Sequence, residues 1–135
     1  MKTDFDMNDF VRRGGARMTL GDVKRVVASL PAIRKEIETI NEEEYPGLAA
    51  QIDFLAEVLA DFNAGNFDSL PFEAAAEVAF ALNYLAKEVD LIPDFVPDVG
   101  FIDDATVVLI VLRHHQEVLA THPEASEVDW EFVAG

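Results

Sequence analysis

The sequence contains no cysteine, only one tryptophan, and no apolar run longer than the six residues Val107 to Leu112. Without cysteine there is no disulfide framework, no thiolate metal site and no cysteine nucleophile. An apolar run of six is far short of the roughly 20 residues a membrane-spanning helix needs. The first residues carry Asp4, Asp6 and Asp9 and no apolar core, so a secretory leader is not expected. No stretch alternates apolar and polar residues in the manner of a strand, and there is no internal repeat. Basic residues are also scarce: 10 against 26 acidic ones, for a formal net charge of −16.

That charge is unevenly placed. Residues 1–35 hold eight basic and four acidic residues, whereas the remainder holds only Lys87 and Arg113 against 22 acidic groups. So acidic a body repels phosphate, and nucleic acid is not an expected partner. Half of the 135 residues are apolar, too many for a disordered acidic tail and enough for one folded domain. A cytoplasmic location is expected.

Periodicity indicates an all-α protein of four main helices in a compact bundle, with an N-terminal arm and a C-terminal tail. Residues 1–18 read as a flexible basic and aromatic arm, in which Gly14-Gly15 lowers helix tendency; residues 19–135 read as a single helical domain. Helix one is expected from Thr19, an N-cap with Asp22 three residues on, and Pro31 should split it near Ser29. In helix two the apolar seam is Leu48, Ile52, Leu55, Leu59 and Phe62. Gln51, Asp53, Glu57 and Asp61 are placed toward water, and Gly65 closes the helix. Helix three, from near Ser69, is rich in alanine and admits close approach of another backbone. Helix four, from about Ile102 to Thr121, is apolar on every face between Val107 and Leu112. It should therefore be central or covered by a second subunit. Val128, Trp130, Phe132 and Val133 give the tail an apolar surface to pack back on the bundle.

Between helices three and four runs Asp90-Leu-Ile-Pro93-Asp94-Phe-Val-Pro97-Asp98-Val-Gly100-Phe-Ile-Asp103-Asp104. Two prolines four apart forbid a regular helix there and require a compact turn. This motif, with the helices beside it over about residues 75–113, resembles the YkvA-like family, domain of unknown function 1232. The chain departs from the family pattern at Lys87-Glu88-Val89, where a Ser-Pro often precedes the first Asp, and at Asp98, where an apolar residue is usual. The resemblance implies a helical hairpin found in bacterial and archaeal proteins, some of them membrane-associated. It implies no established activity.

The hairpin motif, Asp90, Pro93, Asp94, Pro97, Gly100, Asp103 and Asp104, is read first as structural, its carboxylates capping the turn and the start of helix four. The sharper alternative is a Mg²⁺ or Ca²⁺ site built from Asp90, Asp94, Asp103 and Asp104, since hard cations take oxygen ligands. It would not be an EF-hand, because the twelfth position from Asp90 is Phe101. The adjacent His114 and His115 should project about 100° apart on one helix, unable to serve one metal. His115 and His122 share a face but lack a third ligand. Arg113 is expected to form a structural ion pair with Glu77. No Gly-x-Ser-x-Gly elbow or phosphate loop is present, and no catalytic residue is assigned. The leading expectation is a non-catalytic helical scaffold or protein-interaction module that self-associates. The alternatives are a divalent-cation-binding protein or cation-dependent enzyme using the Asp cluster, and a peripheral membrane module docking through Phe95, Val96 and Phe101.

Overall fold

A computed structural model describes residues 6–87 and 102–135, and these are helical with no strand among them. The helices are α1 (Met7–Ala16), α2 (Leu20–Ala28), α3 (Leu30–Ile37), α4 (Leu48–Ala64), α5 (Phe72–Lys87), α6 (Ile102–His114), α7 (Gln116–Leu119) and α8 (Trp130–Ala134). A 3-10 turn over Ala125–Glu127 precedes α8. The all-α class is as expected, but the elements are finer than four long helices.

The Thr19 cap forms as its sequence requires. Its hydroxyl accepts from the Asp22 N–H at 3.1 Å, and the Asp22 carboxylate accepts from the Thr19 N–H at 2.9 Å. Pro31 divides the helix at Ser29, giving α2 and α3. Gly65 ends α4 at φ 82°, a conformation that costs a side-chain-free residue little.

Three expectations are corrected. Residues 7–16, expected as a flexible arm, form α1, capped by Asp6, whose carboxylate accepts from the N–H groups of Asn8 and Asp9. Tertiary packing overrides the low propensity of Gly14-Gly15. A Cβ on Gly15 would sit 2.6 Å from Glu77 Cγ and 3.2 Å from its Cα, so the glycines let α1 lie directly on α5. Val11 is fully buried there, and Phe10 meets Phe80 edge-on at 5.2 Å. Gln51, expected in water, is buried within α4, beside Tyr45 and Pro46. Asp53 and Glu57 of the same helix are half-exposed and pair with Arg34 of α3. Finally, helix four does not run unbroken: His115 leaves helical geometry at φ −124° and ψ 29°, separating α6 from α7.

The central element is α5, packed against α1, α2, α3, α4 and α6. Its alanines at 74, 75, 76, 79 and 81 are buried and permit those approaches. The apolar run of α6 is covered within the chain, by α1, α4, α5, α7 and α8. The tail does pack back. Val128 and Val133 are buried, and Trp130 sets its ring edge-on to Phe54 while its indole N–H donates to the Ala125 carbonyl at 2.8 Å.

Candidate metal centre

Among the described residues, Glu77 is the one charged side chain buried with the alanines of α5, only 6 % exposed. A carboxylate in that position must find partners or lose its charge. It finds two imidazoles. His114, at the end of α6, places Nδ1 2.8 Å from Glu77 Oε1, and His115 places Nε2 3.1 Å from the same oxygen. One ligand atom from each of the three residues lies within 4.8 Å of the other two.

The two histidines converge because the helix breaks between them. The 100° offset holds only while both residues are helical. At His115 the backbone turns, and both rings face α5, 6.0 Å apart and nearly perpendicular.

The surroundings divide the two imidazoles. Nε2 of His114 lies 3.2 Å from the Asn8 side-chain oxygen, so α1 holds the ring from behind. Nε2 of His115 is buried, and despite its proximity to Glu77 it is not oriented to hydrogen-bond. A buried polar atom without a hydrogen bond is uncommon and calls for a cause. Burial pushes the Glu77 carboxyl up, but the close approach of His115 and His114 outweighs it and holds it below its ordinary value near 4.5. Beside the three groups opens a cavity of about 470 Å³, with Arg12, Met18, Phe72 and Ala76 in its wall.

This donor set fits a metal ion. Bonds of 2.0–2.1 Å to nitrogen or oxygen at tetrahedral angles put ligand atoms roughly 3.3 Å apart. The 2.8 and 3.1 Å separations from Glu77 need only a small widening, and the separation between the two imidazole nitrogens is within 4.8 Å. His114 shows the second contact that metal-bound histidines usually make, its remote nitrogen against an amide oxygen.

The expected pair between Arg113 and Glu77 does not form. Arg113 precedes His114 on α6 and is therefore rotated away from α5; its Nε–H donates to the Val133 carbonyl at 2.6 Å and ties α6 to α8. His122 is also remote from His115 in role. It binds Asp61 through Nε2 at 2.7 Å, accepts the Glu124 N–H at Nδ1, and stands edge-on to Phe54 and Phe67. Asp90, Pro93, Asp94, Pro97 and Gly100 lie outside the described residues, as do Phe95, Val96 and Phe101. Asp103 and Asp104 fall in the first turn of α6; Asp104 is half-buried.

Residues 74–110 match the model of a family described as a protein of unknown function, DUF1232. The match bears out the resemblance seen in the hairpin and assigns no activity. No curated protein and no solved structure matches the chain. The matched segment supplies Glu77 but stops short of His114 and His115, and α1 lies wholly outside it. Among the described residues, no helix is long and apolar enough to cross a membrane.

Proposed function

We propose that the protein is a metal-binding helical module that holds one divalent ion of the Zn²⁺ type through Glu77, His114 and His115. The observation that carries this reading is the convergence of two imidazole nitrogens and a buried carboxylate oxygen within 4.8 Å, from positions 37 and 38 residues apart in the chain. Two imidazoles and one carboxylate suit Zn²⁺, Co²⁺ or Fe²⁺; Mg²⁺ and Ca²⁺ prefer oxygen throughout. Three protein ligands leave a coordination position free, the pattern of reactive rather than closed structural sites. All three residues line the cavity.

Equilibrium dialysis of chelator-treated protein against Zn²⁺ tests the reading. High constant KCl suppresses loose binding to the acidic surface. The expected result is one equivalent bound. A thermal midpoint several degrees higher should accompany it, since a ligand at a hundred times its Kd adds about 2.7 kcal/mol. Glu77→Gln and His114→Ala should abolish both effects. Uptake by wild type no greater than by these variants overturns the proposal. In that case a proton, not a metal, joins the histidines to Glu77.

Self-association is a second proposal. The apolar residues of α6 are covered within the chain, which leaves the groove beside Tyr45, Leu48 and Leu109 as the candidate face. Phe132 at its edge is 57 % exposed. Light scattering of the purified chain decides it; a monomer at micromolar concentration removes it.

A further inference from the structure

We infer that the cavity beside Glu77, His114 and His115 is a binding site for a small monocarboxylate with an apolar body, its carboxylate on the open position of the metal. The inference rests on the metal reading and adds the class of ligand. At about 470 Å³ the cavity lies within the usual range for small-molecule sites and has room for a body of several carbons. Its wall is mixed: Met18, Phe72 and Ala76 supply an apolar part beside the charged and imidazole groups. Phe72 is 43 % exposed, one of three large apolar side chains left so among the described residues. A ligand body lying on the phenyl ring would take that surface out of water.

Charge selects the head group. A divalent ion less the Glu77 carboxylate leaves one positive charge. Arg12 adds a second at the cavity wall, and Glu73, also in the wall, subtracts one. Unlike Arg13, Arg25 and Arg34, Arg12 forms no ion pair among the described residues. The net single positive charge matches a monoanion. The cavity borders the basic stretch of residues 1–35, so an anion is drawn to this mouth rather than to the acidic remainder of the chain. A phosphate monoester would bring a second negative charge against Glu73 and leave the apolar wall bare.

Co²⁺-loaded protein provides the test, because the visible absorption of Co²⁺ changes when its ligands change. Loading to one equivalent is verified first, and then benzoate, acetate and neutral benzamide are titrated separately. The expected result is a saturable spectral change with benzoate, at an affinity at least tenfold tighter than with acetate, and none with benzamide. In Arg12→Gln and Phe72→Ala, each loaded to one equivalent, benzoate binding should weaken several-fold. An unchanged spectrum with benzoate, or equal affinity for benzoate and acetate, overturns the inference while the bound Co²⁺ leaves the metal reading standing. Failure to take up one equivalent of Co²⁺ overturns both.

Discussion

His122 and the His114–His115 pair use the same materials, imidazole against carboxylate, but differ in what is left unsatisfied. His122 is enclosed: its side chain is 1 % exposed, both ring nitrogens have partners, and Phe54 and Phe67 stand edge-on to its ring. Such a histidine fastens the turn after α7 to α4 and has no capacity left for a ligand. At Glu77 the bookkeeping does not close. Two imidazoles share one carboxylate oxygen, one nitrogen lacks a hydrogen bond, and a cavity adjoins. Burial is common to both clusters. What separates a structural from a ligand-binding histidine here is residual valence beside open space.

The contrast can be broken by substitution. The largest effect is expected for His122→Ala. It opens a cavity between Phe54 and Phe67 and strands the Glu124 N–H, so chemical denaturation should show a loss of about 3 kcal/mol. Zn²⁺ uptake by the folded variant should remain at one equivalent; its loss would mean that the two clusters are not independent. A smaller loss, about 2 kcal/mol, is expected for Gly15→Ala, because the new methyl meets the backbone of Glu77 as well as its side chain. Gly14→Ala should cost less, since the atoms nearest its methyl belong to the ring of Phe80, a partly exposed side chain that can turn, and not to backbone. Melting of both variants at the wild-type midpoint would contradict the packing of α1 on α5.

Asn8→Ala sharpens the comparison from the metal side. The Asn8 oxygen faces the remote nitrogen of His114 at 3.2 Å. Removing such a support typically weakens a metal 10- to 100-fold; because Asn8 is exposed, a loss of about tenfold in Zn²⁺ affinity is expected. The metal-free stability should change by less than about 0.5 kcal/mol. The opposite pattern, unchanged affinity with lowered stability, would make Asn8 a packing residue only.

The finest effect is in acid. A carboxyl lowered by folding adds stability that is fully present above its unfolded value, near 4.5, and is lost as pH falls through the lowered folded value. For metal-free protein, the stability advantage of wild type over Glu77→Gln should therefore shrink on acidification below that value. A difference that stays constant across the acid limb would show that the histidines do not hold the Glu77 charge.

Much of the scaffold was legible locally. Thr19 with Asp22, Pro31, and Gly65 each set a helix boundary through chemistry confined to a few residues, and the boundaries stand where they point. The alanines of α5 correctly announced close backbone approach. The failures share a cause. Gly14-Gly15 weakens a helix in isolation, but here it forms the contact face of one; what decides is Glu77, far away in sequence. Gln51 has a polar side chain on a helix whose buried face is wider than its apolar seam. The histidine pair was discounted on the geometry of an unbroken helix, which ends at His114. One signal was present: a lone glutamate among alanines, at odds with its surroundings. It pointed to a buried partner, and Arg113 was the wrong one because neighbouring helical residues face different ways.

X-ray absorption at the zinc edge tests the metal reading most directly, on protein carrying one equivalent of Zn²⁺ at high KCl. The account predicts a first shell of nitrogen and oxygen at about 2.0–2.1 Å with the outer-shell signature of two imidazoles. That signature should persist in the His122→Ala variant. A shell of oxygen alone, without imidazole, would place the ion on the acidic surface and contradict the account.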